Sequence, residues 1–246
     1  MKTSSSQLSV MSDTVTKGTI KHEASDPSPN GRPAYLKELG HVLAVDTETS
    51  GFDWFDGDRP FYGTISDFDR DYGYDLTKDD SAEDFYTNVL AADSLIYHNA
   101  SFDIHMMVAV GGVSLDEILR KEIHDTDLLA RVVLGAEVGM FGLKHLATNY
   151  LDPDAGSYEK HMKECMVQLG LIRKWDQKES PPGAYYTTWK AYPKVMEEYA
   201  LKDTRYTYDL FYYLMERATE KDLAVYELER AIRIEPVKPV CFSIHG

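Results

Sequence analysis

The chain has 246 residues, with 41 Asp and Glu against 26 Lys and Arg, and a formal net charge of −15. Its 43% hydrophobic and 12% aromatic content is typical of a globular protein and excludes a chain that is disordered throughout. No apolar run approaches the roughly 20 residues of a membrane-spanning helix, and two cysteines, Cys165 and Cys241, exclude a disulfide scaffold and a zinc site built on thiolates. We therefore expect an intracellular protein that does not enter the membrane.

The first 33 residues differ in composition from the rest of the chain. They are rich in Ser, Thr, Gly and Pro and have no hydrophobic period, which predicts a disordered tail. They lack both the apolar stretch of a signal peptide and the Arg-rich, acid-poor composition of a transit peptide. We expect a folded domain over residues 34–235 and a short C-terminal tail over residues 236–246.

The first part of the domain has the pattern of a sheet. Short apolar or alternating runs predict strands, and one longer segment predicts a helix with Ser81 as its N-cap. The predicted strands are His41–Asp46, Phe61–Ser66, Tyr72–Leu76 and Ser94–Tyr97, and the helix is Ser81–Leu90.

Helical patterns dominate the remainder. They are Ile104–Val110, Asp127–Leu134, Leu143–Tyr150, Val195–Tyr213 and Glu216–Arg233. The segment Leu151–Lys194 is polar and contains proline, and we expect it to form a long insertion or a partly ordered loop. Along the chain, several strands come first and a further strand then lies between two helices. This order predicts an α/β fold with a mixed sheet flanked by helices.

Two acidic residues end the first predicted strand. Asp46 and Glu48 are two residues apart, so a strand presents their carboxylates on the same side. Placing two acids at the end of a buried strand is costly unless a cation neutralises them. Alternatively, the segment is a solvated strand edge.

Two further segments carry acids at helical spacing. Asn99 and Asp103 directly follow the strand Ser94–Tyr97, and Tyr199 and Asp203 lie in a strongly helical stretch. Each pair is four residues apart and so shares one helix face. The alternatives are an Asn cap with Asp103 favourably placed near the helix N-terminus, and a Tyr at the edge of the core beside a surface Asp.

Together the three segments resemble the three motifs of the DEDD superfamily of 3′–5′ exonucleases, in its tyrosine-bearing subgroup. They occur in the order Asp-x-Glu, Asn-x-x-x-Asp and Tyr-x-x-x-Asp, and Glu198 stands where the other subgroup has histidine. His124–Arg131 and Phe141–Ala147 are similar to segments of the proofreading domain of polymerase I-family DNA polymerases. The resemblance spans about residues 42–213 and implies a ribonuclease H-like fold.

The resemblance also implies a role for individual residues. The four acids, Asp46, Glu48, Asp103 and Asp203, would hold two divalent metal ions, and Tyr199 would orient the attacking water. The motif positions of Thr47, Phe52, Asn99 and Phe102 imply contact with the substrate or support for the site. Carboxylate oxygens without thiolates favour magnesium or manganese over zinc.

The expected reaction is hydrolysis at the 3′ end of single-stranded or frayed DNA, with release of nucleoside 5′-monophosphates in proofreading or end processing. Bound cations would reverse the local negative potential and so allow an acidic protein to bind nucleic acid. We retain two alternatives, an RNase D-like exoribonuclease and a non-catalytic polymerase-docking module. The sequence lacks a polymerase module, so we expect either a free-standing exonuclease or one that works beside a separately encoded DNA polymerase.

Overall fold

The structure, a computed structural model, describes residues 39–53, 55–110, 113–135 and 138–234. The two predicted tails lie outside these ranges. Within them the chain forms one mixed five-stranded sheet of order β3-β2-β1-β4-β5. The strands are β1 Val42–Thr49, β2 Pro60–Ser66, β3 Asp71–Asp75, β4 Ser94–Tyr97 and β5 Glu122–Asp125.

The sheet places β1 at its centre. β1 pairs with β2 in the antiparallel sense and with β4 in the parallel sense, and β5 extends the parallel side. β1 is therefore bonded on both edges, and its first four residues are buried, as its continuous apolar run predicts. Together with the flanking helices, this arrangement confirms the predicted α/β fold with a mixed sheet.

The helices pack on both faces of the sheet. They are α1 Asp79–Ala91, α2 Ala100–Val110, α3 Leu115–Ile118, α4 Thr126–Leu134, α5 Leu143–Tyr150, α6 Gly156–Gln168, α7 Ala184–Ala191, α8 Pro193–Met215 and α9 Glu220–Ile234. The predicted N-cap at Ser81 is wrong because α1 already begins at Asp79, after Lys78. None of the helices in the described ranges has the length and apolarity needed to cross a membrane.

The segment Leu151–Lys194 is more regular than its sequence predicts. It contains α6 and α7, so the insertion includes two helices, which its polar composition does not predict. The two helices bury a few large side chains, among them Met162, Met166 and Trp189, in a cluster with Phe61 of β2. A narrow apolar face of this kind is sufficient for packing even though most residues of the segment are polar.

The side chains of β1 alternate between two cores. Leu43 and Val45 belong to the core that contains Ile104 of α2, whereas Ala44 belongs to the core that contains Leu210 of α8. This alternation continues along β1, so Thr47 points to the α2 side, and Asp46 and Glu48 point to the α8 side. The sheet thus directs consecutive residues of its central strand toward two different helices.

Candidate active site

Thr47 and Asp103 connect β1 to α2. The Thr47 backbone N–H and hydroxyl both donate to Oδ1 of Asp103, over 3.0 and 2.7 Å. Asp103 is 3% exposed, and a buried carboxylate needs donors of this kind. The two hydrogen bonds fix Asp103, in the first turn of α2, against the end of β1.

Tyr199 and Asp203 lie one turn apart on α8, which packs against β1 and β2. Their side chains are mostly buried, at 9% and 7% exposure. Beside them, the hydroxyls of Thr64 on β2 and Thr204 on α8 are hydrogen-bonded to each other. This contact holds α8 against β2 next to Asp203.

The acids of β1 and α2 influence one another electrostatically. Burial raises the pKa of Asp46 to about 6, with Lys144 opposing the shift. Burial and the neighbouring charges of Asp46 and Asp103 raise the pKa of Glu48 well above its usual value. Burial and Asp46 likewise raise the pKa of Asp103, against the hydrogen bonds from Thr47. The three carboxylates therefore form one cluster in which negative charge is unfavourable without a nearby cation.

Lys144, near the start of α5, is a residue of this site that the motifs do not identify. Its Nζ forms an ion pair with Asp203 and lies 4.4 Å from the centroid of the Tyr199 ring. Burial lowers the Lys144 pKa to about 8, while Glu159, Glu48 and Asp46 act to raise it. Its signal in the sequence is a lysine in the segment Phe141–Ala147, which resembles the polymerase-associated domain.

The donor set fits a hard divalent cation, since it consists of buried or half-buried carboxylate oxygens that repel one another. Among the described residues, however, no three His, Cys, Asp or Glu side chains already surround a common point as metal ligands do. Asp203 is instead paired with Lys144. Binding of a metal ion by these acids would therefore require a local rearrangement of their side chains.

A cleft of about 670 Å³ opens onto these residues. Asp46, Glu48, Tyr199 and Asp203 line it, together with Thr47. Its size is in the range of small-molecule binding sites, about 300–1,000 Å³. The predicted catalytic residues other than Asp103 therefore face one open space, and Asp103 lies directly behind Thr47.

Two aromatic rings stand on one side of the cleft. Phe52 is 79% exposed, and its ring centroid lies 5.8 Å from that of Phe102. An exposed phenylalanine beside a second ring provides a flat apolar surface of the kind on which nucleobases stack. The predicted contact residues Phe52 and Phe102 are therefore both at the cleft.

The segment before α7 forms another wall. Residues 178–183 and Tyr185 line the cleft, and the Gly183 N–H donates to the Ser50 carbonyl over 2.9 Å. Tyr185 also lies near Tyr199, with ring centroids 6.2 Å apart. Sequence reasoning missed this wall because no motif marks it.

Asn99 is not among the cleft residues. It precedes α2 instead of lying on it, is exposed, and has a left-handed backbone with φ of 73°. Its N–H and that of Ala100 donate to the two carboxylate oxygens of Asp125, each over 3.1 Å. The expectation that Asn99 and Asp103 share a helix face is wrong, because α2 begins after Asn99. Asp125 also caps α4, accepting from the backbone N–H groups of Asp127 and Leu128.

Comparison with known proteins decides the family. A family model described as 3′–5′ exonuclease, that of the DNA polymerase A type, matches residues 33–218. The chain belongs to this 3′–5′ exonuclease family. The predicted resemblance is confirmed, and the exonuclease falls in a class of hydrolases that depend on divalent metal ions and act on nucleic acids.

Two curated relatives are phage proteins named DNA polymerase DpoZ. The one from Salmonella phage PMBT28 is 26% identical to the exonuclease over 198 residues, which is 79% of this chain and 29% of the relative. The one from Acinetobacter phage SH-Ab 15497 is 25% identical over 194 residues, or 77% and 29%. The match thus covers less than a third of the length of these relatives.

A solved structure shares the fold. Brucella melitensis NrnC bound to pGG matches the exonuclease with a TM-score of 0.50 and 18% identity, covering 83% of this chain and 81% of that chain. At this identity the likeness shows the fold alone. It agrees with the ribonuclease H-like architecture predicted for the domain.

Proposed function

We propose that the protein is a metal-dependent exonuclease that removes nucleoside 5′-monophosphates from the 3′ end of single-stranded or frayed DNA. The observation that carries this proposal is that Asp46, Glu48, Tyr199 and Asp203 line one cleft, with Asp103 hydrogen-bonded to Thr47 beside them. A binding module has no need of buried acids that raise one another's pKa. The convergence therefore favours catalysis over the alternative of a non-catalytic docking module.

In this proposal Asp46, Glu48, Asp103 and Asp203 hold two magnesium or manganese ions. When bound, such ions stabilise developing negative charge and lower the pKa of a water. Thr47 keeps the Asp103 carboxylate in a fixed orientation through its two hydrogen bonds. The Tyr199 hydroxyl orients the attacking water, and burial raises the Tyr199 pKa well above its usual value, so the phenol stays protonated and remains a donor.

The aromatic pair Phe52 and Phe102 binds the terminal bases by stacking, worth about 1–3 kcal/mol per base. Thr47 and Asn99 complete the proposed substrate contacts. Because the Thr47 hydroxyl is already engaged with Asp103, its contact with the substrate is expected through the rest of the residue. Asn99 does not line the cleft, so it would act through the turn that it forms.

A DNA substrate is supported by the phage DNA polymerase relatives. They also support a role in proofreading or DNA end processing during replication or repair. We propose a DNA polymerase as the partner in that role. An RNase D-like activity on RNA is the second candidate. The solved structure of Brucella melitensis NrnC bound to pGG is the observation in its favour. The two substrates differ in the 2′-hydroxyl, so an assay with both decides between them.

The test is a degradation assay on 5′-labelled DNA and RNA strands of the same sequence, with magnesium, with manganese and with EDTA. The proposal expects a ladder that shortens from the 3′ end of DNA in the presence of metal. Asp203→Asn should abolish the ladder. The matched control is Asp209→Asn, which changes another acid of α8 that is bonded to Arg205 outside the cleft. Intact strands in every lane would favour the docking module, and shortening of RNA alone would favour the RNase D-like enzyme.

A further inference from the structure

Lys144 brings a positive charge into the centre of the acidic cluster. Its side chain is 19% exposed overall, and its Nζ atom is buried. The ammonium is paired with Asp203 and lies over the ring of Tyr199. A buried lysine in contact with two residues of the third motif is unusual, because lysine is almost never buried without a specific partner.

The surroundings of Lys144 explain why it is tolerated. Asp46 and Glu48 lie close enough to Lys144 for its charge to stabilise their ionised forms. The negative charge of Glu159 on α6 in turn stabilises the charged form of Lys144. Without any cation, several buried carboxylates at short range would repel one another. A lysine ammonium supplies one positive charge, whereas a divalent ion supplies two and also accepts carboxylate oxygens as ligands.

We propose that Lys144 is an internal counter-ion that occupies Asp203 in the metal-free protein and is displaced from it when a divalent ion binds. This inference rests on the proposed metal-dependent function. The ammonium and the metal ion need the same carboxylate, and two cations at one oxygen would repel each other. The flexible four-carbon stem of lysine allows the ammonium to swing away while the helix backbone stays in place.

The proposal has a direct consequence for metal affinity. Since the pair must be broken before Asp203 can bind a metal ion, Lys144 and the metal compete, and removal of the lysine should tighten metal binding. A supporting lysine that helped to assemble the ligands would have the opposite effect. The sign of the change therefore separates the two roles.

The test is calorimetric titration of Mn²⁺ into wild-type protein and Lys144→Met. We expect the Mn²⁺ Kd of the variant to be about 10-fold lower, within the usual range of coupling between two sites. Lys121→Met is the control, because Lys121 is a partly buried lysine outside the cleft that donates to the Leu90 carbonyl. It should leave the Mn²⁺ Kd unchanged. An unchanged or higher Kd in Lys144→Met overturns the counter-ion role.

A second measurement uses thermal unfolding, which also reports on a variant that is unstable without metal. In EDTA, Lys144→Met should lower Tm, and saturating Mn²⁺ should remove most of the difference from wild type. In a double-mutant cycle, Lys144→Met should lower Tm less when Asp203→Asn is already present. An equal loss of Tm in both backgrounds contradicts the pairing.

The outcomes separate this inference from the proposed function. Wild-type protein that binds no Mn²⁺ would overturn both the metal site and the competition for it. Wild-type protein that binds Mn²⁺ with the same affinity as Lys144→Met would overturn the counter-ion alone and leave the proposed exonuclease intact.

Discussion

The backbone N–H and the hydroxyl of Thr47 donate to the same carboxylate oxygen of Asp103. Thr47 lies on the central strand between Asp46 and Glu48, and its two hydrogen bonds fix the orientation of a third acid, Asp103 on α2. The bond crosses from one chain segment to another 56 residues away. It is the contact that joins the first two acidic segments into one site.

Removal of the Thr47 hydroxyl should therefore reduce activity without unfolding the protein. We expect Thr47→Val, which keeps the shape of the side chain, to lower kcat about 10-fold, because a hydrogen bond to a charged group is worth about 1.5–3 kcal/mol. KM should change little if the hydroxyl positions Asp103 and does not bind substrate. Steady-state kinetics on a labelled DNA strand measures both. Thr47→Ser keeps the donor and serves as control, and a rise in KM alone would instead assign the hydroxyl to the substrate.

The left-handed backbone at Asn99 gives a second prediction. Glycine adopts positive φ freely, whereas a β-branched residue does not. We expect Asn99→Gly to retain most of the activity and the Tm. Asn99→Val should lower the free energy of unfolding by about 1–3 kcal/mol and disturb the start of α2. Thermal unfolding and kinetics of the two variants check this, and a severe loss of activity in Asn99→Gly with an unchanged Tm would show that the Asn99 side chain itself contacts the substrate.

Tyr185 should act through Tyr199. Burial raises the pKa of Tyr185 above its usual value, and a hydrogen bond with Tyr199 opposes this shift. We expect Tyr199→Phe to lower kcat by about 100-fold, within the range for groups that assist proton transfer, and Tyr185→Phe to lower it by a smaller factor. In the Tyr199→Phe background, Tyr185→Phe should have no further effect on kcat, because its partner hydroxyl is gone. Independent, multiplying losses in the double variant would show that Tyr185 has a separate role.

His124 should make the protein sensitive to acid. Its ring is fully buried beside Phe211, and burial, with a contribution from the charge of Arg230, lowers its pKa to about 3. Between that value and the unfolded pKa of about 6.5, the unfolded state binds a proton that the folded state does not. The neutral His124 ring therefore stabilises the fold fully above about pH 6.5. Below that pH, the free energy of unfolding falls by up to about 1.4 kcal/mol per pH unit.

Urea unfolding at pH 7, 6 and 5 in EDTA measures this effect. We expect His124→Leu to lose less stability than wild type over this range. The raised pKa values of Asp46, Glu48 and Asp103 act in the opposite direction, because the folded state then binds the extra protons. That contribution is common to both proteins, so it cancels in the comparison. Parallel pH profiles for wild type and variant would contradict a neutral buried His124.

Much of the fold and of the candidate site could be predicted from local patterns. The apolar runs that became β1 and β4, and the helical period of α5, are each strong over a short window. The acids of the three motifs could be selected because their spacing matches one family. β5 was not predicted, since it has four residues of mixed polarity, Glu122–Asp125, and owes its strand form to pairing with β4.

The remaining features of the site depend on contacts between distant residues. Lys144 and Asp203 meet because α5 and α8 pack together, and no spacing rule reports such an encounter. The wall formed by residues 178–183 likewise depends on the hydrogen bond between Gly183 and Ser50. Polar segments of this type have weak local preferences, so tertiary packing decides their structure.

The most direct test of the metal site is the anomalous density of a crystal of the protein soaked in Mn²⁺. We expect two peaks within about 4 Å of each other, ligated by oxygens of Asp46, Glu48, Asp103 and Asp203, with the Lys144 ammonium withdrawn from Asp203. Fully ordered carboxylates with no anomalous peak among them, and Lys144 still paired to Asp203 at saturating Mn²⁺, would contradict a metal-dependent mechanism at this site.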